Sequence, residues 1–169
     1  MNVQQITNME EKRIIFLDID GVLAGEDFFK KRLGGFIDPK KIELINQLKG
    51  AEIVISSSWG YDNGRTEKSL RDCGLTLPII GYTKHEHVDW ICRGNEIERW
   101  IVENANGHTK YGSEETHEEW QKFGFEYVII DDDCDMLYGQ KDHFVHVNYY
   151  TAITEEDIIK AKQILKLDA

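Results

Sequence analysis

The sequence predicts an α/β fold, a doubly wound parallel sheet with helices on both of its faces. Short apolar runs recur along the 169-residue chain, and between them apolar residues follow helical spacing. The first of these runs is continuously apolar, as in a strand that is covered on both sides. Neither a repeat nor a low-complexity stretch breaks the pattern. We therefore expect one domain over residues 1–169, in which residues 1–11 form a flexible N-terminal extension.

The first strand and the first helix have the clearest signals. The run from Arg13 to Leu17 is the predicted first strand. Asp38 and Pro39 then supply an N-cap and a proline at the first helical position, and helical spacing of apolar residues continues to Leu48.

The remaining elements continue the alternation of strands and helices. Glycine or proline lies at several of their boundaries, and residues 154–157 resemble a capping box. Residues 104–116 form a polar segment, and a short helix through Trp120 and Phe123 is predicted after it. Strands are predicted at 51–55, 77–81, 127–130 and 144–147, and helices at 67–73, at 96–103 and from 154 through 165. Together these elements predict a Rossmann-like sheet.

Composition excludes several classes of protein. With 41% hydrophobic and 30% charged residues the chain has the composition of a globular protein, and no apolar run approaches the roughly 20 residues that cross a bilayer. The N-terminus lacks the pattern of a signal peptide, so we expect a cytoplasmic protein. The three cysteines have no metal-type spacing. A net charge of −11 disfavours membrane binding and non-specific binding to nucleic acid.

Two carboxylates and a glycine follow the first strand. Asp18 and Asp20 are one residue apart, so a continuing strand would point both in the same direction, and Gly21 allows a sharp turn next to a ligand. Ligands of open parallel sheets bind outside the carboxyl ends of the strands. Two carboxylates on one side repel each other unless a cation lies between them, and Mg²⁺ is the natural candidate. The alternative is an ordinary Asx turn.

A serine cluster and an acidic run follow two other predicted strands. Ser56, Ser57 and Ser58 could hydrogen-bond an anion, or they could be an ordinary polar loop. Asp131 and Asp132 follow the fourth strand, at the sheet edge where Asp18 lies, and complete an oxygen-rich cation site. Such acidic runs are otherwise solvated loops.

A cation precedes the fourth predicted helix. Arg93 is unfavourable there for the helix dipole, so we interpret it as a ligand for an anion such as phosphate. Lys84 is the competing cation for this role.

These motifs resemble those of the haloacid dehalogenase (HAD) hydrolases over nearly the whole chain. LDIDGV (17–22) resembles their first motif, the serine cluster their second, Arg93 or Lys84 their third, and IDDD (130–133) their fourth. More narrowly, ISSSW (55–59), RGNEI (93–97) and IIDDD (129–133) are similar to the small HAD domains associated with RNA-repair proteins.

The resemblance implies a Mg²⁺-dependent phosphomonoester hydrolase. Asp18 would be the nucleophile, and Asp20 would be the general acid and base. Ser56 or Ser57 and Arg93 would grip the phosphate, with Gly21, Ser58 and Lys84 also at the substrate. The metal would be held by Asp18, the main-chain carbonyl of Asp20, and Asp131 or Asp132. We slightly prefer Ser57 to Ser56 as the hydroxyl at the phosphate; strand register decides which of the two faces the site, and a slip of one residue reverses the answer.

The substrate is less narrowly defined than the chemistry. The segment between Asp20 and Ser56 is too short for a large cap, so a small or absent cap is expected, which suits a phosphorylated polynucleotide end or a small phosphorylated molecule. Val22 replaces the threonine that usually follows the glycine of the first motif. Gly60 replaces a basic residue that is common in the closer relatives, so any substrate contact of that basic residue is missing or moved to Arg65. The alternatives are a retired fold that binds a phospho-ligand or a protein, and a phosphotransferase of the same fold. The oligomeric state is left open.

Overall fold

The computed structural model describes residues 12–30, 36–60, 62–84, 91–104 and 125–167. The strands are β1 (Lys12–Leu17), β2 (Glu52–Ile55), β3 (Ile79–Tyr82), β4 (Phe125–Asp131) and β5 (Phe144–His146). The helices are α1 (Glu26–Lys30), α2 (Pro39–Ile45), α3 (Arg65–Asp72), α4 (Arg93–Asn104) and α5 (Glu155–Ile164), and a 3₁₀ helix covers Tyr138–His143.

The five strands form one parallel sheet in the order β3-β2-β1-β4-β5. The chain moves outward from β1 through β2 to β3, and then returns to add β4 on the other side of β1. The direction of winding therefore switches between β1 and β4, which is where ligands bind in open α/β sheets. The α/β, doubly wound parallel fold predicted from the sequence is confirmed.

Helices cover both faces of this sheet. Alternate residues of β1 point to opposite sides: Ile15 and Leu17 belong to one core, and Ile14 and Phe16 to the other. The first core includes buried residues of α2, α3 and α5, whereas the second is formed against α4. By the same alternation, Asp18 would lie on the face of Ile14 and Phe16, which α4 covers.

Capping signals in the sequence predicted the starts of α2 and α5 correctly. The Asp38 side chain accepts a hydrogen bond from the Lys40 N–H at the start of α2, and Thr154 and Asp157 form the predicted capping box of α5. Helix α3 spans Arg65–Asp72 instead of 67–73, and α4 begins at Arg93, three residues before the predicted start. The earlier start of α4 makes Arg93 its first residue.

Two short elements were not predicted. Helix α1 has five residues and the 3₁₀ helix has six, too few to show a periodic apolar pattern. The predicted helix through Trp120 and Phe123, and the extension 1–11, lie outside the described residues. Within the described ranges, no helix has the length and apolar character that would let it span a membrane.

Candidate active site

Two buried carboxylates lie side by side at the switch between β1 and β4. β1 and β4 pair in a register that ends at Leu17 opposite Ile130, so Asp18 and Asp131 are the next residues on the two strands. The Asp18 N–H continues the ladder with a hydrogen bond to the Ile130 carbonyl at 3.0 Å. Asp18 is 6% exposed and Asp131 2% exposed. The sheet itself therefore fixes the separation of the two charged groups.

Asp132 completes a group of three carboxylates. One oxygen each of Asp18, Asp131 and Asp132 lies within 4.8 Å of the others. Gly21 makes room for this group: its φ is +72°, and a Cβ atom there would lie 2.3 Å from the Asp132 Cγ. Any larger residue at this position would collide with the carboxylate.

Burial and mutual repulsion raise the pKa values of these carboxyl groups. Burial, and then the charge of Asp131, raise the pKa of Asp18 to about 8, against hydrogen bonding from Ser57 and the charge of Arg93. Burial raises the pKa of Asp131 to about 7, and also raises the pKa of Asp132. The site concentrates more negative charge than the described side chains around it neutralise.

The donor set fits a hard metal cation. Asp131 Oδ1 accepts the Asp133 N–H at 2.9 Å, whereas Asp131 Oδ2 is buried and has no hydrogen-bond donor within the described part of the chain. Carboxylate oxygens are the ligands that hard divalent cations prefer. A cation among the three carboxylates would satisfy this oxygen and relieve the repulsion.

Arg93 lies beside Asp18 and Asp131, two members of this group. Its guanidinium contacts three carboxylates: Nη2 is 3.8 Å from Asp18 Oδ1, Nε is 3.7 Å from Asp131 Oδ2, and Nη1 is 3.0 Å from Glu96 Oε2. The side chain is 15% exposed. An arginine held on several sides keeps one orientation, so its remaining donors can meet an anion without reorganising.

The segment after β4 fixes the start of α4, a feature that the sequence did not reveal. Asp135 accepts the Arg93 N–H at 2.8 Å. The buried Gln140 donates to the Gly94 carbonyl at 2.9 Å and accepts from the Leu137 N–H at 3.0 Å. A Cβ atom on Gly94 would lie 2.5 Å from the Leu137 nitrogen. These contacts tie the arginine to the strand that carries Asp131.

The three serines have different surroundings. The Ser57 hydroxyl donates a hydrogen bond to the Asp18 carboxylate. Ser56 is buried and its Oγ has no hydrogen-bond partner among the described residues, whereas Ser58 is exposed. Strand alternation would have directed Ser56 to the face of Val54 and Asp18. The Ser56 N–H still bonds the Leu17 carbonyl at 2.8 Å, and the chain turns from Ser57, whose carbonyl accepts the Gly60 N–H at 3.0 Å. From this turn the side chain of Ser57 reaches Asp18.

The other two candidates lie at the margin of the site. Asp20 is exposed, and its Oδ2 accepts the indole N–H of Trp59 at 2.9 Å. Lys84 is exposed and pairs with Glu103 at 2.9 Å. Glu103 is ten residues after Arg93 on the same helix, roughly 15 Å along its axis. The structure thus brings Arg93 to Asp18 and Asp131 and pairs Lys84 elsewhere.

A parallel sheet with this order, with carboxylates at the ends of β1 and β4 and an arginine opposite them, defines a HAD-type domain. The family described as the HAD domain in Swiss Army Knife RNA repair proteins matches residues 14–158, and the chain belongs to this family. The family supports an activity of the hydrolase or phosphatase type. Searches of curated proteins and of solved structures find no significant match.

Proposed function

We propose that this protein is a Mg²⁺-dependent phosphomonoester hydrolase that acts through an aspartyl-phosphate on Asp18. The observation that carries the proposal is the environment of Asp18. One buried carboxylate is in contact with a hydroxyl donor, Ser57, and with the Arg93 guanidinium, and it lies beside two further carboxylates. A nucleophile, two groups that can bind phosphate and a cation site therefore converge on one point.

In the first step, an Asp18 oxygen attacks phosphorus and the bond from phosphorus to the ester oxygen breaks. Asp20 gives its proton to the departing oxygen. Ser57 and Arg93 donate to the non-bridging oxygens, where negative charge is concentrated. We favour Ser57 over Ser56, and Arg93 over Lys84, because of their contacts with Asp18.

In the second step, Asp20 takes a proton from water, the water oxygen bonds to phosphorus, and the acyl phosphate bond to Asp18 breaks. Phosphate leaves and Asp18 is regenerated as a carboxylate. Mg²⁺ held by Asp18, Asp131, Asp132 and the main-chain carbonyl of Asp20 would supply positive charge that offsets repulsion between the anionic nucleophile and the anionic phosphate.

For the substrate we propose a phosphorylated nucleic-acid end or a small phosphorylated molecule. The description of the family names RNA repair proteins, which supports a nucleic-acid end. The connection from β1 to β2 contains only the short helices α1 and α2 as described elements, which supports a site without a large cap. We propose a single catalytic domain over residues 1–169, located in the cytoplasm.

The proposed function predicts metal-dependent phosphate release. We expect turnover of an aryl phosphate, and of at least one of a 3′-phosphorylated oligonucleotide, a 5′-phosphorylated oligonucleotide and a panel of small phosphometabolites, with Mg²⁺. We expect none when EDTA is present. The measurement is inorganic phosphate released over time, with and without an added alcohol as acceptor. Absence of turnover on every substrate contradicts the proposal, and transfer to the alcohol in place of water would reveal a phosphotransferase.

The carboxylate cluster predicts that stabilisation by Mg²⁺ depends on pH. Because the folded pKa values of Asp18 and Asp131 are raised above 3.8, the native state binds more protons than the unfolded chain between about pH 4 and 8. The metal-free protein therefore loses stability from this site as pH rises, and Mg²⁺ offsets that loss. At 100 times its Kd, Mg²⁺ should add about 2.7 kcal/mol at pH 8, a Tm increase of about 5–10 °C.

At pH 5 the same Mg²⁺ concentration should raise Tm by less than about 2 °C, because protons compete for the same oxygens. The measurement is thermal unfolding at both pH values, with NaCl of equal ionic strength as the control. Equal Mg²⁺ shifts at pH 5 and pH 8 would contradict the assignment of these carboxylates as the metal site.

A further inference from the structure

A groove of about 620 Å³ borders Trp59, the residue that contacts Asp20. Its walls come from four parts of the chain: the region of α1, the start of α2, Trp59 in the turn after β2, and the second half of α3. The volume is within the usual range of pockets that hold small molecules. Its lining includes Phe28, Phe36, Pro39, Lys40, Trp59 and Asp72.

Trp59 is shared by the groove and the candidate active site. Its ring lines the groove, and its indole N–H donates to Asp20 Oδ2 at 2.9 Å. Because the indole nitrogen is only a donor, the contact holds one carboxyl oxygen and leaves Oδ1 to exchange a proton. A group in the groove therefore meets the side chain that holds Asp20, the residue that would protonate the leaving oxygen.

One turn connects both catalytic carboxylates. The Ser57 hydroxyl donates to Asp18 and its Oγ accepts the Trp59 N–H at 3.4 Å, while the Gly60 N–H donates to the Ser57 carbonyl at 3.0 Å. The Trp59 ring also packs partly against the core. The turn therefore sets the position of Trp59, and with it the orientation of Asp20, relative to Asp18.

The chemistry of the groove favours an uncharged flat ring over a second phosphate. Phe36 is 70% exposed and meets Trp59 edge-on, with ring centroids 6.3 Å apart. Among the described residues of the lining, the charged ones are Lys40 against Asp38 and Asp72, so this part of the lining has no excess of positive charge. Exposed aromatic rings without a basic strip bind bases by stacking and do not bind the phosphate backbone.

We propose that this groove is the leaving-group subsite, that it takes a flat ring such as a nucleobase, and that Trp59 orients Asp20 towards the phosphoester oxygen of the bound group. This subsite depends on the proposed phosphatase activity. It specifies that the nucleoside of the substrate binds in the groove next to Trp59.

The first test changes the ring contact alone. Phe36→Ala should lower kcat/KM for a nucleoside monophosphate about 5- to 30-fold. It should leave kcat/KM for glycerol phosphate, which has no ring, within about twofold. Phe36 is mostly exposed, so the fold should tolerate the change. Tyr138→Ala, which removes another exposed aromatic ring outside the groove, is the matched control and should leave both substrates unchanged.

The second test removes the indole N–H and keeps an aromatic ring. Trp59→Phe should lower kcat/KM for glycerol phosphate at least about 10-fold, because an alkoxide needs a proton to leave. It should lower kcat/KM for p-nitrophenyl phosphate at most about threefold, because nitrophenolate leaves without one. In an Asp20→Asn background Trp59→Phe should have no further effect on glycerol phosphate.

Three outcomes contradict the proposal. If the wild type is active and Phe36→Ala lowers kcat/KM equally for substrates with and without a ring, the ring contact is refuted. If Trp59→Phe lowers kcat/KM equally for glycerol phosphate and p-nitrophenyl phosphate, the orienting role is refuted. A wild-type protein that releases no phosphate from any of these substrates overturns the proposed function itself, and the subsite with it.

Discussion

Asp18→Asn should abolish phosphate release and at the same time stabilise the metal-free protein. The amide is not a nucleophile towards phosphorus, so we expect kcat to fall at least about 10⁴-fold. Residual activity at this level would come from binding groups such as Ser57 and Arg93, which the substitution leaves in place. The measurement is the rate of phosphate release from p-nitrophenyl phosphate with saturating Mg²⁺.

The increase in stability follows from the raised pKa of Asp18. Burial and the neighbouring Asp131 disfavour the ionised form of this carboxyl group, and the asparagine amide carries no charge at any pH. Above pH 8, without metal, the variant should be at least about 1 kcal/mol more stable, which raises Tm by about 2–4 °C. With Mg²⁺ the order should reverse, because the wild type gains the ion and the variant has lost one ligand.

Asp133→Asn is the matched control for this substitution. It makes the same chemical change in an exposed residue of the acidic run, outside the group of three carboxylates. Activity should stay within about threefold of the wild type. An Asp18→Asn protein that turns over at more than about one hundredth of the wild-type rate would remove Asp18 from the role of nucleophile.

The two carboxylates at the ends of β1 and β4 were predictable because the sheet alone places them. Asp18 and Asp131 each follow a run of apolar residues, and strands of one parallel sheet end at the same edge. Their pairing across β1 and β4 needs no loop geometry. The role of Arg93 was predictable from a different signal. A cation at the start of a helix is unfavourable for the helix dipole, which indicates that its partner lies in another part of the chain.

The contacts that orient these groups were not predictable, because they depend on how separate loops pack. Asp135 reaches Arg93 across 42 positions in the chain, and Trp59 reaches Asp20 across 39. Neither pair leaves a periodic signal in the sequence. The collision that makes Gly21 necessary involves Asp132, so a glycine that looks like an ordinary turn residue is also a packing requirement.

The choice between Ser56 and Ser57 shows where a local rule fails. Alternation along β2 would place Ser56 on the side of Asp18. The Ser56 N–H still continues the ladder to the Leu17 carbonyl at 2.8 Å, but the chain turns from Ser57, and this hydroxyl in the turn is the one that hydrogen-bonds Asp18. Alternation describes the strand and not the turn that follows it.

Arg93→Ala should weaken both the fold and the chemistry. The guanidinium is the shared partner of Asp18, Asp131 and Glu96, and its removal leaves buried negative charge with less compensation. At pH 8 without metal we expect a loss of about 3 kcal/mol, a Tm decrease of about 6–12 °C. At pH 5 the loss should be smaller, because Asp18 and Asp131, with pKa values of about 8 and 7, then carry protons. Loss of a donor to the phosphate should lower kcat/KM about 10²- to 10³-fold with Mg²⁺.

Two further variants separate charge from geometry. Arg93→Lys keeps one positive charge and should recover much of the stability. A compact ammonium lacks the wide planar fork of five donors that a guanidinium offers to carboxylates and phosphate, so kcat/KM should stay at least about 10-fold below the wild type. Lys84→Ala removes the competing cation, which pairs with Glu103 on the surface, and should change Tm by less than about 2 °C and activity by less than about threefold. If Lys84→Ala abolished turnover while Arg93→Ala retained it, Lys84 would be the cation that binds the phosphate, and the contacts of Arg93 would only stabilise the buried carboxylates.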